Sequence, residues 1–156
     1  MFSPENLKRV EELRHRYPHS QALVLPVLWI AQEQLGSIST DTMKYVAGLL
    51  KVPFSHILGV VTFYTMFRRE AAGKHHIEVC TNVSCMLRGS GTLVKHLEQK
   101  LGIKPGETSA DKKWTLSEVE CMGACNGAPM CAVGEEYYED LSTEKMDRVL
   151  ADLEKR

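Results

Sequence analysis

Apolar residues in the first half of the chain recur at helical spacing. Leu7, Val10 and Leu13 share one face of a helix that Ser3, Pro4 and Glu5 open and that Tyr17-Pro18 stops. A second apolar-rich segment, Ser20 to Leu35, ends at Gly36, and Pro26 fits it only in a first turn or at a kink. Thr40 and Asp41 are placed to cap a third helix through Leu50. After the Val52-Pro53 break, Ser55 is placed to cap a fourth that continues to about Phe67. This half reads as all-helical.

The pattern changes between Glu70 and Lys74, where Ala-Ala-Gly-Lys reads as a linker, so domains are expected over residues 1–72 and 73–156. His75-His76-Ile77-Glu78-Val79 favours a strand that ends at Cys80. Residues 89 to 101 return to helical spacing through Leu93, Val94, Leu97 and Leu101, with Gly102 at the stop. Trp114, Leu116 and Val119 mark a second strand leading into Cys121. Pro129 to Val133 and Glu136 to Glu139 form a hairpin about Gly134-Glu135, and Met146, Val149, Leu150 and Leu153 define a closing helix. The order in this half is β, α, β, β, β, α. The whole is an α/β (α+β) chain with a helical amino-terminal bundle.

Composition narrows the setting. Of 156 residues, 44% are hydrophobic and 25% charged, the balance of a folded globular protein, which excludes wholesale disorder. The longest apolar run, Ala22 to Ala31, is broken by Pro26 and falls short of the roughly 20 residues that a membrane-spanning helix needs. The amino terminus, Met-Phe-Ser-Pro-Glu-Asn, lacks the basic head and apolar core of a secretory signal. A reducing, cytoplasmic location is therefore expected for the five cysteines, with any membrane association peripheral and through a complex. A net charge of -1, with both signs interleaved, offers no footprint for nucleic acid.

Four of the cysteines form two pairs. Cys80-Thr-Asn-Val-Ser-Cys85 and Cys121-Met-Gly-Ala-Cys125 enclose four and three residues, and each pair follows a strand directly. A mixed sheet brings neighbouring strand ends together, so the four thiols are expected to converge on one cluster of loops. Structural zinc sites favour tighter turns, although wider spacings are permitted. A 2Fe-2S rhomb needs a thiolate pair for each iron and backbone N–H groups near its sulfides. Gly123, Ala124, Gly127 and Ala128 allow that close approach. The spacing matches neither plant-type nor bacterial two-cluster ferredoxins, and no histidine stands in either loop for Rieske ligation. On the residues alone, iron–sulfur, zinc and thiol–disulfide chemistry all stay open.

The paired loops, the Ala128-Pro129 that follows them, and Leu58-Gly59-Val60-Val61-Thr62-Phe63-Tyr64 resemble the NuoE-type subunits of NADH:quinone oxidoreductase, a thioredoxin-like 2Fe-2S ferredoxin family. The same module occurs in NAD-linked hydrogenases and formate dehydrogenases. The resemblance spans nearly the whole chain. Leu35-Gly36-Ser37-Ile38, the helix leading to Val52-Pro53, and Gly59-Val60 to Phe67 are similar to that family's helical amino-terminal part, and residues from about 75 onward to its ferredoxin domain. It implies a thioredoxin-like domain with a mixed four-stranded sheet and flanking helices. It also implies that Cys80, Cys85, Cys121 and Cys125 hold one 2Fe-2S cluster, and that a flavoprotein subunit carrying FMN and the NAD(H) site is the partner, docked through the helical domain.

Other features take plainer readings. Cys131 sits within a strand and is expected to be a buried structural thiol. Phe63, Tyr64 and Phe67 lie at helical spacing, for which core packing is the default and partner docking the alternative. Gly89-Ser90-Gly91 lacks the third glycine of a dinucleotide fingerprint, Val94 standing in its place, and marks a tight helix start. Asn82-Val83-Ser84 matches a glycosylation acceptor by accident, given the expected compartment. His75 and His76 are expected as solvated edge residues, and Glu135, Glu136, Glu139 and Asp140 as a wet hairpin.

No Walker sequence or serine–histidine–acid grouping is present, so no complete active site is expected on this chain. NADH delivers a hydride whereas an iron–sulfur cluster takes one electron, which requires a flavin between them on another chain. The expected role is one-electron transfer within an NADH-oxidising or NAD-reducing complex. Two alternatives stand beside it: a free-standing thioredoxin-like 2Fe-2S ferredoxin and a zinc-stabilised interaction module.

Overall fold

The hydroxyl of Ser3 accepts the Asn6 N–H at 3.2 Å, and Pro4 takes the first helical position, where a missing N–H leaves nothing unpaired. Helix α1 (Pro4–Arg14) grows from this start in a computed structural model that describes all 156 residues. The chain divides into two compact units, Met1–Ala71 and Ala72–Arg156. In the first, a 3₁₀ turn at Ser20–Leu23 leads into α2 (Val24–Leu35), which holds Pro26 in its first turn and stops at Gly36 with φ 77°. Helices α3 (Thr40–Leu50) and α4 (Phe54–Phe63) complete the unit. Val10, Val27, Leu28, Val46, Leu50 and Ile57 are buried at its centre, each removing about 1.5–3 kcal/mol worth of apolar surface from water.

Two helix boundaries differ from expectation. Ser39, rather than Thr40 or Asp41, caps α3, its hydroxyl accepting from the Thr42 N–H at 3.2 Å. Helix α4 begins behind Pro53, so Ser55 lies inside it, and it ends at Phe63 instead of near Phe67. The cause of the early stop is Gln32. Its buried side-chain amide donates to the Met66 carbonyl at 2.9 Å and accepts from the Arg68 N–H at 2.7 Å, engaging backbone groups that helical pairing would otherwise use. As a result Phe67 turns into the core, while Phe63, on the last turn of α4, is 77% exposed and Tyr64 is exposed beside it.

The second unit contains β1 (His75–Cys80), α5 (Val83–Leu87), α6 (Ser90–Leu101), β2 (Trp114–Val119), β3 (Cys131–Val133), β4 (Glu136–Tyr138) and α7 (Thr143–Leu153). The strands form one mixed sheet in the order β2-β1-β3-β4. Strand β1 runs parallel to β2, from His75 opposite Trp114 to Cys80 opposite Val119, and antiparallel to β3. Alternation along the strands sends Ile77, Val79, Leu116 and Cys131 to one face, where they are buried with Leu97 of α6 and Met146 of α7. Cys80, next in line after Val79, faces the opposite way. Helix α5 is too short to show a periodicity of its own, and the apolar pattern does not predict it.

The histidines of β1 are part-buried rather than solvated, because both pair with β2 and pack on its side chains, although β3 reaches only from Ile77 onward. His75 lies against Trp114 with ring centroids 5.0 Å apart, and His76 Nε2 is 2.8 Å from Ser117 Oγ. Burial, then the charges of Lys74 and Arg156, hold the His75 pKa below the usual imidazole value. Strand order comes from non-local pairing, which a local pattern does not carry. No helix is long and apolar enough to cross a membrane.

Candidate metal centre

Parallel pairing of β1 and β2 brings their carboxyl ends side by side, and both cysteine pairs begin there. Cys80 is the last residue of β1 and Cys85 lies on α5; they are 2% and 1% exposed. Cys121 follows β2 by two residues and Cys125 opens a 3₁₀ turn, Cys125–Gly127; both are exposed. One pair is thus enclosed by protein and the other meets solvent.

The inner pair is packed with Ala128 and Met130. Burial pushes the Cys85 thiol pKa up, and its hydrogen bond with Cys80 adds to that. The Met130 backbone N–H works against both by donating to the Cys85 sulfur, and the charge of Cys125 lies close enough to raise the pKa further. The outer pair has its sulfurs 3.5 Å apart. Gly123 folds the intervening loop with φ 84°, a left-handed conformation that glycine adopts without strain. That turn aims the Gly123 N–H at Cys121 Sγ, 3.4 Å away. This hydrogen bond, with a second from Cys125, holds the Cys121 pKa below that of an ordinary thiol.

Side chains outside the cysteines brace the loops. Asn82 caps α5, its Oδ1 accepting from the Val83 N–H at 2.9 Å, while its Nδ2 donates to Glu120 Oε2 at 2.6 Å. The hydroxyl of Tyr137, on β4, donates to the Met122 carbonyl at 3.2 Å. After Cys125 the chain returns to β3 through a cis Ala128-Pro129 peptide bond. Gly127 is closed in by Glu139, whose side chain occupies the space a Cβ would need. Sequence reasoning misses Asn82, Glu120, Met130 and Tyr137 in these roles. Its one usable signal is the capping preference of an Asn set between two cysteines.

The thiols stand as two pairs. Two thiolate pairs are the donor set that a two-iron core would take, one pair for each iron, with backbone N–H groups close to sulfur. Gly123 aims an N–H at Cys121 sulfur in the outer pair, and the Met130 backbone favours the Cys85 thiolate in the inner one. Cys131 is remote from these contacts. It is fully buried among the residues under α6 and α7, and burial pushes its pKa up to about 12.

Comparison with known proteins follows the same line. A family model described as thioredoxin-like [2Fe-2S] ferredoxin matches residues 10–154. A subunit of the NADH-quinone oxidoreductase of Rickettsia conorii is 43% identical over 156 residues, covering 98% of this chain and 93% of that protein. A subunit of the NADH-quinone oxidoreductase of Rhizobium meliloti is 41% identical over 143 residues, which is 92% of this chain and 85% of the relative. Among solved structures, the chain is similar in fold to an NAD+-reducing [NiFe]-hydrogenase in the air-oxidized state, with a TM-score of 0.73 at 19% identity; the match covers 85% of this chain and 23% of that one.

Proposed function

The chain belongs to the thioredoxin-like [2Fe-2S] ferredoxin family, and on that premise we propose that it holds one 2Fe-2S cluster on Cys80, Cys85, Cys121 and Cys125 and passes single electrons as a subunit of an NADH-oxidising or NAD-reducing complex. The observation that carries the ligand assignment is the placing of two thiol pairs at the carboxyl ends of adjacent parallel strands, with the Gly123 N–H aimed at Cys121 sulfur. A cluster of this kind, when bound, accepts and releases one electron at a time. The chain's own residues give it a seat. The four thiolates would hold the irons, the Gly123 N–H offsets negative charge on Cys121 sulfur, and Ala128 and Met130 keep water from the inner pair.

The redox partner is a flavoprotein subunit of the same complex, which holds FMN and the NAD(H) site, because a two-electron hydride and a one-electron cluster can exchange electrons only through a flavin. Membership of a fixed complex, rather than a free shuttle, is supported by the helical unit. Val52 to Phe67 contains no Asp, Glu, Lys or Arg, yet Phe54, Leu58, Phe63, Tyr64 and Met66 are exposed. A run of that kind needs a partner surface to cover it.

The ligand assignment is tested on full-length protein purified without oxygen. Chemical analysis should give about two irons and two acid-labile sulfides per chain, with visible absorbance that bleaches on reduction. A colourless protein holding one zinc per chain would end this reading.

A further inference from the structure

The backbone ladder between β1 and β2 does not extend into the cysteine loops. Its last bond runs from the Thr81 N–H to the Val119 carbonyl at 3.1 Å. Beyond it one strand turns into α5 and the other into the Gly123 turn, so the two thiol pairs leave the sheet on separate loops. The connection is taken up by side chains: Asn82 Nδ2 donates to Glu120 Oε2 at 2.6 Å. Asn82 lies between Cys80 and Cys85, and Glu120 immediately precedes Cys121.

We propose that Asn82 and Glu120 form a positioning clasp, which holds the Cys80–Cys85 loop and the Cys121–Cys125 loop at the separation a shared cluster requires. The proposal rests on the ligand assignment above. Its second support is the choice of residue. Ser, Thr, Asp and Asn all cap helices well. Asn alone among them combines an acceptor for the α5 N–H with a separate amide donor long enough to reach a neighbouring loop. Both functions are in use here, since Oδ1 takes the Val83 N–H at 2.9 Å while Nδ2 holds Glu120. Glu120 also places a carboxylate one residue before Cys121, where its charge opposes negative charge on a neighbouring sulfur. Binding that carboxylate to an amide fixes where the charge sits as well as where the loop sits.

Full-length, cluster-loaded protein is challenged anaerobically with excess iron chelator, and the decay of visible absorbance gives the rate of cluster loss. Asn82→Ser keeps a capping hydroxyl and loses the reach to Glu120; it should lose the cluster about fivefold faster than wild type, as expected for one hydrogen bond. Glu120→Ala should do the same, and the double variant should be no faster than either single one, because both remove the same contact. Glu120→Gln retains an acceptor for Asn82. It should lose the cluster within about twofold of the wild-type rate while its midpoint potential rises, a shift that a purely structural role would not produce. A wild-type rate for Asn82→Ser, effects that multiply in the double variant, or cluster loss from Glu120→Gln as fast as from Glu120→Ala would overturn the clasp and leave the ligand assignment standing. A wild-type chain without iron would overturn both.

Discussion

The thiol of Cys131 points at the thioether of Met146, 4.0 Å away, on the helix-covered face of the sheet. Cys80 lies on the strand next to Cys131 but faces away from that core, so two buried cysteines on adjacent strands have opposite surroundings. Substitution separates them. Cys80→Ser and Cys125→Ser should abolish or severely alter the visible and paramagnetic signals of the cluster. Cys131→Ser should retain those signals and lower stability by about 1–3 kcal/mol, the cost of burying a hydroxyl in an apolar site, as read from urea unfolding. Loss of the cluster signal in Cys131→Ser alone would show that the ligand set is wrong.

The same buried thiol predicts a response to alkali. Its pKa is about 12 in the folded chain against 9.0 for an ordinary thiol. Well below pH 9.0 both states keep the proton and the thiol contributes no pH dependence. As pH rises from there towards about 12 the unfolded state releases its proton while the folded state does not, so stability falls. Cys131→Ala removes that component. The difference in unfolding free energy between wild type and Cys131→Ala should shift in favour of the variant as pH is raised from about 8 to about 11; a constant difference would refute burial of the thiol.

Gly123 carries φ 84° and aims its N–H at Cys121. No atom outside the loop obstructs a side chain there, so the penalty for Gly123→Ala is conformational, about 1–2 kcal/mol. If the turn relaxes, the N–H moves off the sulfur. The variant should still bind iron, with a lower midpoint potential than wild type because one donor to sulfur is lost. An unchanged potential would mean that this hydrogen bond plays no part in tuning the site.

Exposure of Phe63 and Tyr64 bears on assembly. Replacing both with Ala in the full-length chain should weaken binding to the flavoprotein subunit by about tenfold or more, in line with aromatic anchors at the centre of an interface. Cluster content should not change. Titration calorimetry or surface binding with the cluster-loaded chain decides the matter, and undiminished affinity would remove these two residues from the docking surface.

Much of this architecture is legible in the sequence, and the parts that are not share a cause. Helices α1, α3, α6 and α7 and strands β1 and β2 follow from periodic apolar positions and from Gly36, Gly102 and Ser3 at helix ends. The apolar pattern makes the fourth helix too long because the hydrogen bonds of Gln32 that end it come from 34 and 36 residues away. His75 and His76 look like solvated edge residues for a related reason: how far a strand is covered depends on what pairs with it. The thiol pairs can be found from spacing, whereas Asn82–Glu120 and Tyr137–Met122 join positions 38 and 15 residues apart and leave no periodic trace.

Parallel strands cannot be joined by a tight turn, and here the crossover between β1 and β2 contains α5, α6 and the loop that follows. Cys80 and Cys125 therefore leave the ribosome well apart in time, and the first pair must wait for the second. The two thiol pairs come side by side only once that long crossover has folded and the parallel pairing has closed.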